Sequence, residues 1–331
     1  MRIGAAVVMA GVCLCASAAW AGQLSILEEN DSLFFTSDKH YTQGIRGAYL
    51  SDPLSSNDWR YRAFDLVPAL FPDTGSSERR FDWIFLGQSI FTPANLKLNP
   101  PDPHDRPYAG WLYTGGALLQ ENGNRLTGLE LLVGVVGPDA LGQQVQNDWH
   151  QFVVGIPGGQ GWHGQLKNEP ALAISYDGRW RVPLADIAGV GVDIVPEAGV
   201  TGGNVLTYGA VGGTLRIGQD LGADYGPARI RPTLSGTDWF NAARMTQPFG
   251  WYVFVGVEGR AVAQNIFLDG NTFASSPHVD KKPLVGDLTA GATFFWKDDV
   301  RLDIGLLTRT KEFYGQQGED SYAGFRFAFG L

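Results

Sequence analysis

Residues Tyr322 to Leu331 alternate without a break: Ala323, Phe325, Phe327, Phe329 and Leu331 fall on one side, and Tyr322, Gly324, Arg326, Ala328 and Gly330 on the other. A period of two held over a whole segment is the mark of a strand whose two faces meet different surroundings. Residues 251 to 264 repeat it, with Trp251, Val253, Val255, Val257, Ala261 and Ala263 opposed to Tyr252, Glu258, Arg260 and Gln264. Apolar rows on one face and charges on the other suit a closed wall with lipid outside and a polar lumen inside.

Such segments recur near 23–30, 42–51, 83–91, 108–121, 126–137, 171–181, 189–201, 205–217, 250–264, 285–296, 299–309 and 321–331. Twelve is an even number, as bacterial single-chain barrels require. The expected fold is therefore all-β, a 12-stranded antiparallel transmembrane β-barrel formed by residues 22–331 as one domain. An even count puts both termini in the periplasm. Parity then makes 31–41, 92–107, 138–170, 265–284 and 310–320 extracellular. The turns Glu121 to Asn124 and Lys297 to Asp299 come out periplasmic, and so do two unusually long connections, 52–82 and 218–249. A soluble periplasmic β-sandwich would also alternate, but it has no need of outward aromatic rows.

The remaining bulk properties agree. Beyond the first residues no run of eighteen apolar residues occurs, so strands and not helices would cross a membrane. Gly 44, aromatics at 12% and charged residues at only 18% favour strands and turns. A net charge of −9 without a basic stripe argues against a nucleic-acid partner. It also means that an anionic ligand needs local cations or a bridging metal.

Residues 1–21 place Arg2 before an apolar run and end in Ala19-Trp20-Ala21, the pattern of a secretory signal peptide cleaved after Ala21. Cys13 and Cys15 both fall inside it. The mature chain is then free of thiols, which excludes disulfides, Cys-ligated metals and cysteine nucleophiles.

One segment departs from the strand pattern. Between Asp139 and Val154, Leu141, Val145, Trp149 and Phe152 recur at helical spacing, with Asp139 as the expected N-cap. Gln143, Gln146, Asn147 and His150 form the opposite stripe. A short helix in an extracellular loop is expected, its apolar side resting on the barrel or in lipid and its polar row turned to a cleft.

Four clusters converge on the extracellular rim by parity: Glu28 to Ser32, Tyr41 to Gly44, Asp105 to Trp111, and the His150 helix. Asn30 and Asp31 offer hard oxygen donors of the kind Ca²⁺ takes, or they simply open a turn. His150 can act as a general base on water or a hydroxyl, or can be a solvated loop residue. His40, His104 and His163 raise a transition-metal site, although their spacing fits no metal motif. The glycine-rich stretch 155–159 lacks the strand-to-helix setting of a phosphate loop.

At these motifs the sequence resembles the lipid A 3'-O-deacylase family of Gram-negative outer membranes. The matching pieces are Asn30-Asp31, Tyr41 to Gly44, Phe91-Thr92-Pro93, Asp105 to Tyr113, Gly134 to Pro138, Val145-Gln146 with His150, Gly161-Trp162, Gln165-Leu166 and Asn168 to Pro170. They run in family order through about residues 24–180. The resemblance implies a twelve-stranded barrel with its site between the wall and an extracellular helix, facing the cell exterior. It implies a Ca²⁺ cofactor organised by Asn30 and Asp31, a lining Thr42, and a supporting Gln146. His150 would activate water or a neighbouring hydroxyl. Lys39, Lys97 and Arg106 are candidates for holding the phosphates of lipid A. The implied activity is release of the 3'-linked acyloxyacyl chain from lipopolysaccharide in the outer leaflet, by a monomer. An outer-membrane phospholipase and a non-enzymatic barrel or pore are the competing readings.

Overall fold

The computed structural model describes residues 22–32, 39–72, 74–155, 157–234 and 238–331. The leader reading for residues 1–21 falls outside them. The strands are β1 (Gly22–Asn30), β2 (His40–Ser51), β3 (Glu78–Thr92), β4 (Ala109–Asn122), β5 (Arg125–Val136), β6 (Glu169–Trp180), β7 (Val182–Ile187), β8 (Val190–Gly203), β9 (Leu206–Gly218), β10 (Phe249–Asn265), β11 (Leu284–Trp296), β12 (Val300–Arg309) and β13 (Asp320–Gly330). Neighbours in sequence pair antiparallel, and β1 pairs with β13 to close the seam, Gln23 opposite Gly330 and Asn30 opposite Ala323.

Thirteen strands make twelve staves. In β6 Arg179 stands opposite Glu197 of β8, and in β7 Val182 stands opposite Ile194, so both belong to one stave, interrupted at Arg181 and shifted by a bulge between Pro183 and Ala185. The barrel is closed, antiparallel and twelve-stranded, as the alternation predicts, and no helix among the described residues is long and apolar enough to cross a membrane. One rim carries Gly22, Gly330 and the tight connections at 123–124, 188–189 and 297–299; it is called the lower rim. The upper rim carries the β1–β2, β3–β4 and β5–β6 connections.

Alternation sorts the side chains as expected. Val253, Val255 and Val257 of β10 are exposed on the outside, while Tyr252, Glu258 and Arg260 are buried within. Leu131, Val133, Leu172 and Ile174 extend the outward apolar band, and Trp83, Trp180, Trp296 and Phe249 ring it near the lower rim.

The two long lower connections take different courses. The β9–β10 segment turns into the lumen, where Ala228, Ile230, Leu234, Trp239 and Phe240 are all buried. Its arginines and carboxylates pair with the staves: Arg231 with Glu130 of β5 and Asp177 of β6, and Asp238 with Arg46 of β2 and Arg326 of β13. A lone charge in such a place costs several kcal/mol, so every member needs its partner. The β2–β3 segment, with the short helix α1 (Trp59–Ala63), instead packs against the outside of the wall. Arg79 makes this visible. It alternates with Arg80, which reaches the carbonyl of Phe240 in the lumen, so Arg79 points outward, where its guanidinium lies 4.4 Å from the Tyr61 ring and 5.0 Å from that of Phe64.

Candidate active site

Near the upper rim the outer face of β1 to β4 stops being hydrocarbon. In β1, Leu27 and Glu29 face the lumen, where Glu29 accepts from Arg229 of the inserted segment; Glu28 and Asn30 alternate with them and face outward. Across the ladder Gln43 of β2 lies opposite Asn30 and donates to the Glu28 carboxylate at 3.0 Å. Asn30 Oδ1 accepts from the backbone N–H of Ser32 at 2.8 Å and from its hydroxyl at 2.7 Å. Asp31 leaves the strand: its N–H donates to Thr42 O, and its Oδ2 accepts from Lys39 N at 2.7 Å, pinning the two ends of the β1–β2 connection together. A bulge between Tyr41 and Gln43 interrupts the alternation of β2, and there the Thr42 hydroxyl meets that of Thr92, 2.7 Å away.

Over this surface lies the β5–β6 connection. It contains α2 (Gly142–Trp149), followed by a turn of π-helix, His150–Val154. Two glycines let the backbones touch: a Cβ on Gly110 of β4 would stand 3.1 Å from Gly142 N and 3.1 Å from Ala140 Cβ. Gln88 of β3 donates to Ala140 O at 2.6 Å. Trp162 donates from Nε1 to Gln146 Oε1 at 2.8 Å, and with Tyr108, Ile90 and Val145 it makes an apolar seal between helix and wall.

His150 stands at the junction of α- and π-helix, where Gly155 N donates to His150 O at 2.7 Å. Such a bulge is a common way to re-aim one side chain. His150 Nδ1 lies 3.3 Å from Pro157 O. A carbonyl can only accept, so in this contact Nδ1 is the donor. Gln146 and His150, one helical turn apart, are both buried.

The helix differs from expectation in two respects. Asp139 is not its N-cap: it belongs to a 3₁₀ turn, Pro138–Ala140, and Leu141 caps α2 in a left-handed conformation with φ 60°. The faces are also exchanged in part. Leu141 and Phe152 are exposed, Gln143 is exposed, and the wall receives Gly142, Gln146 and His150. Glycine contact and the Trp162 bond outweigh the apolar stripe, which turns toward the surroundings.

The three cations expected to meet phosphate have different fates. Lys97 is exposed, next to Leu96, whose carbonyl accepts from Gln160 N at 2.8 Å. Lys39 is half-buried, 3.8 Å from Asp320. Arg106 is 1% exposed and donates to Glu312 at 2.6 Å, so it ties the β3–β4 connection to the β12–β13 connection instead of standing at the open rim. Beside it His40 bridges Asp320 at 2.7 Å and Asp105 at 3.2 Å. Burial pushes the Asp105 carboxyl up, but the His40 bond and the N–H groups of Ala94 and Arg106 outweigh it and hold the group below its ordinary range. Glu312 is likewise raised by burial and lowered further by Arg106 and Arg309.

A cleft of about 540 Å³ opens at the same rim, lined by His40, His104, Asp105 and His278. Its lining does not include Asn30, Thr42, Gln146 or His150. Among the described residues no three His, Asp, Glu or Cys side chains are arranged to hold a metal.

Asn30, Asp31, Thr42, Gln146 and His150 thus come to one rim, with Asn30, Gln146 and His150 on or against the outer face. Glu28, from the first of the clusters read in the sequence, completes this surface together with Gln88, Thr92 and Trp162, to which sequence reasoning assigns no role. Phe91-Thr92-Pro93 and Gly161-Trp162 were nonetheless among the motif pieces, so a signal existed for two of them.

The family model described as "Outer membrane protein LpxR" matches residues 3–331. Among solved structures, LpxR from Salmonella typhimurium superposes with a TM-score of 0.72 at 25% identity, covering 93% of this chain and 100% of that one. The β domain of the Bordetella autotransporter BrkA gives a TM-score of 0.44 at 10% identity, covering 95% of this chain and 99% of that one. Among curated protein sequences none matches. With almost its whole length matched, the chain belongs to the LpxR family of outer-membrane proteins.

Proposed function

We propose that this protein is an outer-membrane esterase that removes the 3'-linked acyloxyacyl chain of lipid A, working on the exterior side of the membrane. One observation carries the reading. Polar side chains occupy the lipid-facing side of the wall just where a lipid headgroup would meet it, and a helix with a histidine is seated on the neighbouring strands β3 and β4. Carboxylates, amides and an imidazole have no structural reason to stand on the outside of a membrane barrel, where hydrocarbon is the neighbour. The family membership and the order of the motif pieces support the same substrate class.

The chemistry follows from the side chains. His150 Nε2 takes a proton from a water while Pro157 O steadies the Nδ1–H. The hydroxide attacks the ester carbonyl carbon, the bond between that carbon and the sugar's oxygen breaks, and the imidazolium returns its proton to the departing sugar oxygen. The products are a free acid and a sugar hydroxyl. Gln146 holds the cover through Trp162, and Thr42 with Thr92 lines the wall. Lys97, exposed on the neighbouring connection, would meet a lipid phosphate, with Lys39 as a lesser candidate.

The donors at the end of β1 are all oxygen, namely the Asn30 amide, the Asp31 carboxylate and the Glu28 carboxylate, which suits a hard cation such as Ca²⁺ better than a transition metal. Asn30 and Asp31 would hold it, with carbonyls, water or substrate oxygens making up the shell. A bound Ca²⁺ supplies positive charge to the oxyanion that develops during ester cleavage.

Mass spectrometry of lipid A from cells expressing the protein tests this. Wild type should remove one acyloxyacyl chain, His150→Ala and Asp31→Ala should not, and EGTA should abolish an activity that Ca²⁺ restores. Loss of fatty acid from purified glycerophospholipid but not from lipid A would transfer the site to a phospholipase. The inserted β9–β10 segment weighs against a pore, and planar-bilayer recordings should show no steady conductance.

A further inference from the structure

The β2–β3 connection has no part in the proposed site, yet it is built as carefully. It lies on the outside of the wall at the lower rim. Leu70 O accepts from Tyr176 at 3.2 Å, and Pro72 O accepts from Gln120 at 3.0 Å, while Gln120 in turn accepts from Arg79 Nε at 2.8 Å. All three wall residues alternate with lumen-facing neighbours, namely Asp177, Glu121 and Arg80, so they mark the outer surface.

The height of these contacts matters. Tyr176 precedes Trp180 by four residues in β6, on the side toward the middle of the wall, roughly 10 Å along a tilted strand. Trp180, with Trp83 and Trp296, belongs to the exposed aromatic ring near this rim. The connection therefore sits level with the ring, where a bilayer's headgroups meet its hydrocarbon, and not beneath it in water.

Its two faces differ in what they meet. Tyr61, Phe64 and Phe71 turn to the wall and to Arg79, Phe64 and Phe71 being buried edge-to-face at 4.9 Å. The opposite side carries Trp59, 74% exposed, and Leu66, 82% exposed, a spacing of i to i+7 that keeps them on one side, with exposed Arg62 between them. Tryptophan, leucine and arginine together are the composition of an element lying in a membrane interface, the rings and aliphatic carbons inward and the guanidinium toward phosphate.

We infer that residues 54–71 form an in-plane membrane element: Trp59, Arg62 and Leu66 insert into the phospholipid interface at the lower rim. The surface is continuous with the lipid-facing wall, which is the reason for assigning the bilayer as its occupant. On the even-strand orientation this is the periplasmic leaflet.

Because the only cysteines, Cys13 and Cys15, precede residue 22, single nitroxide labels can be placed cleanly on the processed chain. The full barrel in phosphatidylethanolamine–phosphatidylglycerol vesicles would carry Leu66→Cys or Arg62→Cys, with Val255→Cys as the mid-wall reference and Asp298→Cys, in an exposed lower turn, as the aqueous one. The label at 66 should collide with oxygen and be shielded from a water-soluble nickel complex, approaching the Val255→Cys behaviour, while that at 62 reads shallower. Trp59→Phe should also lose the part of the fluorescence quenched by brominated acyl chains. Nickel accessibility at 66 equal to that at 298 overturns the inference. So does low accessibility to both reagents, which would mean a protein covers this face.

Discussion

Two long connections of similar length, 137–168 and 219–248, dress opposite sides of the same wall with opposite chemistry. The inner one is held by buried ion pairs such as Arg231 with Glu130 and Asp177. The outer one is held by a glycine contact, a tryptophan and a few neutral hydrogen bonds. Charge networks in low dielectric are costly to disturb and therefore fix a shape. A seal of rings and glycines costs less to part, which is what the proposed function would require of a surface that admits a lipid. On that proposal, stability and chemistry are assigned to different connections.

The separation can be broken deliberately. The largest effect on chemistry is expected from His150→Ala, which should lower deacylation by about 10²–10⁴-fold and leave the thermal unfolding of the purified barrel unchanged. A parallel drop in unfolding temperature would mean that the outer connection also carries stability. The converse variant is Arg231→Ala, which removes the cation bonded to Glu130 and leaves Asp177 with Arg179 alone. It should cost about 3–5 kcal/mol in urea titrations in detergent or vesicles while activity per folded molecule persists.

Gly110→Val probes the contact between wall and helix. A side chain there meets Ala140 and Gly142 at close to 3.1 Å, so α2 has to lift. Overpacking of this kind costs about 1–3 kcal/mol, and the expected readout is a rise in KM, with faster proteolysis between 137 and 168 and an intact barrel.

The smallest effect concerns pH. The Asp105 carboxyl is held below its ordinary range by His40, so its contribution is present above about pH 4 and lost as pH falls through the lowered value. Hydrogen exchange in residues 93–108 should quicken on acidification below that point. Asp105→Asn should bring the quickened exchange to neutral pH.

The staves were legible because alternation is a local property: lipid on one side and paired charges on the other write themselves into every second residue. Parity then carried the motif clusters to one rim, and Asn30, Asp31, Thr42 and His150 do lie on it. What sequence could not show was depth. The 218–249 segment reads as a long lower connection, but its arginines enter the lumen because Glu29, Glu130 and Asp177 await them there, and those partners lie more than fifty residues away or on another strand. The stripe of Leu141, Val145, Trp149 and Phe152 misled for a related reason. Beside a bilayer an apolar face can turn outward without penalty, so amphipathicity no longer says which side meets the protein. Arg106 looked available because a rim position was inferred from order along the chain, whereas its pairing with Glu312 depends on two connections folding over each other.

The stopper inside the cylinder has one more consequence. Asp238 is bonded to Arg46 on an early stave and to Arg326 on the last, across the line where the chain's two ends are joined. A hoop braced from within across its seam cannot slip a stave there without stretching those braces. The seam is therefore kept in register while the surrounding lipids press and relax, and the outer groove inherits a rigid floor beneath a softer roof.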